Sequence, residues 1–247
     1  MLKKFLKKLV LLNQLHKIVR VYHNLKTKII PQELILKKNE KCLFLTPHAD
    51  DETISSGGLL LQYPNNFNVI CLTDGRYFKR HDNINELIEA RKAEFTKVMQ
   101  KAKIKNYSFL DIEDKHILNN YSIFKQIDIS NYDYIFIPNY LDQHKDHKAV
   151  VHLLIKLLNE AKYKSNLKIA FYEVWSTLAL PNYYTDISDL ADMKKDLIAT
   201  YKTQEEIICY SEKILGLNAF RGLTVNKKFV ECFTIIDIKE FLSLELL

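Results

Sequence analysis

From about residue 41 onward, short unbroken apolar runs alternate with longer stretches in which apolar residues recur every three or four positions. The short runs at 41–46, 68–73, 106–110, 132–138, 168–174 and 229–236 are rich in Ile, Phe, Tyr and Val, and predict β-strands. The longer rhythm predicts helices over 51–62, 84–103, 146–164, 188–202 and 205–215, with a short one near the C-terminus. Strands separated by helices of that length imply right-handed crossovers. The fold class expected is therefore α/β, a Rossmann-like, mostly parallel sheet with helices on both faces. Sheets of this kind bind ligands at the carboxyl ends of their strands.

The first 32 residues follow another pattern. Apolar residues at 2, 5, 6, 9 and 12 have helical spacing, with lysines between them, which predicts a basic amphipathic helix. Its longest apolar run, Leu9 to Leu12, is far short of the roughly 20 residues that cross a bilayer. We read residues 1–32 as a basic arm and residues 38–247 as a single α/β domain, with Pro31 and the polar stretch 38–41 between them.

Charge sharpens this division. The formal net charge is +6, yet residues 1–32 hold eight basic side chains and no acid, which leaves the remainder at −2. A near-neutral body lacks the basic stripe of a nucleic-acid groove, so no nucleic acid is expected as a partner. The arm is read either as an interfacial helix on an anionic membrane surface through residues 1–30, or as a basic helix that packs on the domain or binds a protein partner. Cys42, Cys71, Cys209 and Cys232 show no C-x-x-C spacing and read as small core residues of a reduced, cytoplasmic protein. Together these place the chain in the cytoplasm, with peripheral attachment to the inner face of the membrane as the extension the arm suggests.

Two polar segments interrupt the pattern where the fold would put a site. Thr46-Pro-His-Ala-Asp-Asp-Glu-Thr53 follows the apolar run at 42–45, and Asn139-Tyr-Leu-Asp-Gln-His-Lys-Asp-His-Lys148 follows the run at 132–138. Adjacent carboxylates repel and need a cation, a helix N-terminus or open water. Imidazole and carboxylate from two loops can jointly offer three ligands to a divalent ion and leave a position for water. Zn²⁺ suits such a set, as do Fe²⁺, Co²⁺ or Mn²⁺. The plainer alternative makes Asp50, Asp51 and Glu52 complements of a helix dipole and Asp146 an N-cap. Tyr172 and Trp175 are read either as sugar-stacking rings or as buried residues at a strand end.

Pro47-His-Ala-Asp-Asp-Glu52 paired with His144-Lys-Asp-His147 resembles the PHPDDE and HPDH motifs of the PIG-L/LmbE-like deacetylases. The resemblance extends to Thr73-Asp-Gly75, Arg91-x-x-Glu94, Tyr172-Glu-Val-Trp175, Tyr201-x-x-Gln204 and Leu217-Asn-x-Phe-Arg-Gly222, in that order, over about residues 40–222. It implies a zinc-dependent N-deacetylase that removes acetyl from an N-acetylated sugar of the N-acetylglucosamine type, lipid- or glycan-linked. His48, Asp51 and His147 would hold the zinc, and Asp50 would be the general base. A cationic His144 would steady the oxyanion and protonate the leaving amine, oriented by Asp146. Arg91 and Asp114 would bind substrate. The sequence departs from the family pattern at Ala49 and Lys145, where proline is usual.

Two rival readings stand beside this one: a metallophosphohydrolase using the same cluster, and a non-catalytic sugar-binding or membrane-docking module. The arm makes its own prediction. The full chain co-sediments with anionic vesicles and a chain lacking residues 1–30 does not; equal recovery in the supernatant removes the membrane role.

Overall fold

The computed structural model describes residues 30–77, 83–205 and 208–244. The basic helix expected over residues 1–32 therefore lies, save for Ile30, Pro31 and Gln32, outside the described residues. A compact unit runs from Gln32 to Leu247 and starts earlier than residue 38, because Gln32–Glu33 form a short edge strand, β1, and Leu34 and Leu36 are buried behind it.

Strand β2, Cys42–Thr46, is buried along its whole length, which is why its sequence is an unbroken apolar run rather than an alternation. Helix α1, Asp51–Gln62, leads to β3, Phe67–Thr73; helix α2, Ile84–Lys101, leads to β4, Asn106–Ile112. A short 3-10 turn and helix α3, Tyr121–Phe124, precede β5, Tyr134–Pro138, and helix α4, Lys145–Glu160, carries the chain to β6, Lys168–Tyr172. Then come β7, Tyr183–Asp186, helices α5, Ala191–Ile198, α6, Lys202–Glu205, and α7, Tyr210–Gly222, strand β8, Val230–Asp237, and helix α8, Ile238–Leu242. Among the described residues, no helix is long and apolar enough to cross a membrane.

The sheet order is β1-β7-β8-β6-β5-β2-β3-β4, and the block from β4 to β6 is parallel throughout. β8 runs antiparallel to both β6 and β7. The strand pattern of the sequence is recovered at all six expected places. β1 and β7 had no legible signal, being short and partly exposed.

Alternate residues of each central strand feed two cores, as a period of two requires. Leu43 and Leu45 join Ile135, Ile137 and the α4 residues Val150 and Leu154 on one face. Cys42 and Phe44 join Phe136, Leu59 of α1 and Phe95 and Val98 of α2 on the other. Phe44 stacks on Tyr172 and Phe136 with ring centroids 4.8 and 5.7 Å apart. All four cysteines are free; Cys42, Cys71 and Cys232 are buried as expected of core residues, whereas Cys209, just before α7, is exposed.

Helix α1 breaks at Ser56, whose φ of −140° leaves the helical range. The amide hydrogens of Gly58 and Leu59 then donate to Glu231 at 2.7 and 2.8 Å, and Lys194 Nζ closes the arrangement 2.7 Å from Glu231 Oε1. A Cβ on Gly58 would lie 2.3 Å from Ile187 Cγ2, so the glycine is demanded by packing. Lys194 and Glu231 are both fully buried. Removing one member of such a pair strands the other's charge and costs about 3–5 kcal/mol. Lys194→Met is expected to lower stability by that amount in urea denaturation. Adding Glu231→Leu restores only part of it, since the two amides lose their acceptor.

Candidate active site

The chain leaves β2 toward β3 and β4 on one side, then returns to place β5 on the other. Connections diverge at the carboxyl ends of β2 and β5 and open a crevice there, the usual ligand position in such sheets. The two polar segments, 47–51 and 139–147, leave the sheet at these two strand ends.

Several hydrogen bonds hold the first segment. Thr46 Oγ1 donates to His48 O at 2.7 Å, Thr73 donates to Pro47 O through Oγ1 at 2.7 Å and through its amide at 3.0 Å, and Arg91 Nη2 donates to Ala49 O at 2.9 Å. Asp50 turns the chain into α1 with a φ of 144°, strained for a residue with a side chain. Gly75, at φ +65°, lies so close beneath Arg91 that a Cβ would meet Nε at 2.4 Å. Glu52 accepts the Asp50 amide hydrogen at 3.1 Å and the Tyr201 hydroxyl, and burial pushes its carboxyl up to about 8. It serves the loop rather than the cleft.

His48 is the junction. Nδ1 lies 3.2 Å from Asp51 Oδ2, while Nε2 lies 3.1 Å from Asp114 Oδ1 and 3.2 Å from Asp146 Oδ2. Burial disfavours its charge, but these carboxylates outweigh that and raise its pKa well above the usual value. His147, fully buried, places Nε2 3.2 Å from the same Asp51 oxygen and Nδ1 3.1 Å from Asp142 Oδ2. Burial works against its charge too, and Asp51 and Asp142 still push it up to about 9. Burial alone would raise Asp51, whereas His147 and His48 hold it far below the carboxylate range. Burial raises Asp50 to about 7, against the pull of Arg91 3.8 Å away and with the push of Asp51.

This donor set fits a divalent cation. His147 Nε2 is a buried nitrogen with no hydrogen-bond partner, and it shares Asp51 Oδ2 with His48 Nδ1 at 3.2 Å each. Neighbouring ligands of a four-coordinate ion stand about 3.4 Å apart, given bonds of about 2.1 Å. The far nitrogen of each imidazole meets a carboxylate, which orients the ring and turns its other lone pair toward Asp51. Ligating atoms of His48, His144 and His147 also lie within 4.8 Å of one another, as do those of His48, Asp114 and Asp146. The cluster is rich in carboxylate, so a cation there relieves repulsion as well as completing coordination.

Three expectations need correction. Asp146 does not orient His144 through its carboxylate, which engages His48 and the amides of Lys115 and Ile117 at 2.8 and 3.4 Å. Only its amide reaches His144, donating to Nδ1 at 3.3 Å, so the ring proton sits on Nε2. Nor is His144 favoured as a cation: burial, His48 and His147 lower its pKa. Arg91 and Asp114, expected to bind substrate, are instead buried and spent on Ala49 and Asp50, and on His48 and the Tyr77 amide at 3.4 Å. Each is short of water, and Arg91 Nε is left without a hydrogen-bond partner.

Asp142 was missed. It accepts from His147 Nδ1, from the His144 amide at 2.9 Å and from the Trp175 amide at 3.3 Å. Its one signal was its place five residues before His147 at a strand's end. Glu173 and Arg221, from two of the spaced motifs, pair with each other; Arg221 Nη2 also donates to Leu178 O at 2.7 Å, so they lock the loop after β6. Tyr172 is fully buried and donates to Leu45 O at 2.8 Å, which rules it out as a sugar platform.

Residues 43–158 match the family model described as PIG-L: GlcNAc-PI de-N-acetylase. No curated protein matches the chain. Among solved structures, N,N'-diacetylchitobiose deacetylase from Pyrococcus horikoshii is similar at a TM-score of 0.68 and 22% identity, over 80% of this chain and 84% of that one. GalB, the 4-carboxy-2-hydroxymuconate hydratase of Pseudomonas putida KT2440, follows at 0.62 and 15%, over 80% and 96%. The zinc inhibited form of teicoplanin deacetylase Orf2 is similar at 0.57 and 12%, over 80% and 98%. At these identities the shared property is the fold. The match over 43–158 and this fold agree with the resemblance that the spaced motifs carry to the PIG-L/LmbE-like deacetylases.

Proposed function

We propose that this protein is a divalent-metal-dependent hydrolase that removes acetyl from an N-acetylated amino sugar of the N-acetylglucosamine type. The observation that carries the reading is the meeting of His48 Nδ1 and His147 Nε2 on Asp51 Oδ2, each at 3.2 Å, with Asp50 alongside. The family description and the deacetylases that share the fold support the substrate class. Zn²⁺ is the ion proposed, with Fe²⁺, Co²⁺ and Mn²⁺ suited to the same donors.

His48, Asp51 and His147 would hold the ion. A cation in that position supplies Lewis acidity, bringing a water toward a pKa of about 7 and polarising a carbonyl oxygen. Asp50, raised to about 7 and not among the ligands, takes the proton as water oxygen bonds to the amide carbon. His144 Nε2–H, held as that tautomer by the Asp146 amide, donates to the developing oxyanion. The proton held by Asp50 then passes to the amine nitrogen as the C–N bond breaks, and acetate leaves. Asp142 and Asp146 are positioning residues for His147 and His48.

The GalB likeness supports a second reading, addition of water to a carbon–carbon double bond, since that hydratase shares the fold. A phosphoryl substrate is less well served: Arg91, whose guanidinium lies 3.8 Å from Asp50, is engaged with Ala49 and Asp50. The membrane-surface role of residues 1–30 and a cytoplasmic location rest on the sequence alone.

Acetate release from a panel of N-acetylglucosaminides is expected to stop with chelator and return with zinc. No release, with water added to an unsaturated acid, would replace the deacetylase by the hydratase. Asp50→Asn is expected to retain the ion and lose about 10²–10⁴-fold in turnover. His147→Ala is expected to lose the ion, and Asp142→Asn to bind it about 10–100-fold more weakly, both by metal analysis after dialysis.

A further inference from the structure

Trp175, the sole tryptophan of the chain, is 54% exposed on the loop that leaves β6. Its amide donates to Asp142 Oδ2, the oxygen that also accepts from His147 Nδ1, so the residue is anchored one carboxylate away from the site. The backbone on both sides is pinned. Glu173 is held by Arg221, and Ser176 Oγ accepts from Asn139 Nδ2 at 2.9 Å. The Tyr210 ring meets the indole edge-on, with centroids 5.9 Å apart. The Tyr210 hydroxyl is pushed up to about 12 by burial and then by the charges of Asp50 and Asp51. Leu141, exposed and next to Asp142, adds apolar surface on the facing loop.

An exposed indole usually lacks such bracing. Exposed, with its backbone anchored on Asp142 and its ring against Tyr210, it offers a flat apolar face suited to the C–H face of a pyranose whose hydroxyls stay in water. Because one carboxylate, Asp142, bonds both the Trp175 amide and His147, the residue that bears the indole is one side chain removed from the reacting centre. We propose that Trp175, braced by Tyr210, is the platform for the second ring of a glycoside, so that the preferred substrate is a disaccharide or larger glycan rather than a free monosaccharide. This rests on the amino-sugar reading above for the ring that reacts.

A lone tryptophan makes the test direct. The full chain, loaded with zinc, is titrated with N,N'-diacetylchitobiose, with N-acetylglucosamine and with phosphatidylcholine/phosphatidylserine vesicles while indole emission is followed. A saturable change is expected with the disaccharide at roughly tenfold lower concentration than with the monosaccharide. Trp175→Ala is expected to cut the disaccharide-to-monosaccharide ratio of kcat/KM about tenfold, mainly through KM, and Trp175→Phe to keep most of it. An unchanged ratio in Trp175→Ala, or emission that answers to vesicles and to neither sugar, overturns the platform. A saccharide-dependent emission change without acetate release supports the platform and sinks the deacetylase. Acetate release with unmoved emission and unmoved ratio does the reverse.

Discussion

One imidazole bears on carboxylates from three separate loops. His48 meets Asp51 from its own segment, Asp114 from beyond β4 and Asp146 from the start of α4. Strand ends that would otherwise be independent are thereby tied by charge, and the acidic crowd is tolerable only while positive charge stands among it. His147 repeats the arrangement with Asp51 and Asp142. Asp51 Oδ2 is thus the shared point. The fold brings the loops near, but the electrostatics make them one site.

Residues outside this cluster set the geometry of the backbone that carries it. Thr73 and Arg91 grip the carbonyls of Pro47 and Ala49, Glu52 and Tyr201 close beneath Asp50, and Lys194 with Glu231 hold α1 at its break. Arg221 and Glu173 do the same for the loop that bears Trp175. Many of the spaced motif residues therefore act through backbone placement rather than on substrate. At Ala49, where proline is usual in the family, the Arg91 bond to its carbonyl supplies a restraint that a ring would otherwise give.

The same sheet carries deacetylases and a hydratase among its structural relatives. Both reactions need water made nucleophilic and a neighbouring base, and both can use one cluster of imidazole and carboxylate. What separates them is the shape and polarity of the space around it. Trp175 and Tyr210, in edge-on contact, are the pair proposed to bear on that space.

Much of this was legible before any coordinates. Unbroken runs such as Cys42–Leu45 and 134–138 announced central parallel strands because burial on both faces removes alternation. His48, Asp50, Asp51, His144 and His147 were visible because polar residues crowded at a strand's end are costly without a purpose. β1 and β7 were not, since two to four residues at an edge leave no period to detect. Nor was the destination of each carboxylate. Asp146 adjoins His147 and lies near His144 in sequence, yet faces His48; Asp142 looked like a loop residue and proved to be the partner of His147. Sequence determines which groups are present and roughly which strand end they leave. Only the tertiary structure decides which pairs come within about 3 Å, because hydrogen bonds and ion pairs depend on distance and direction that a linear order does not contain.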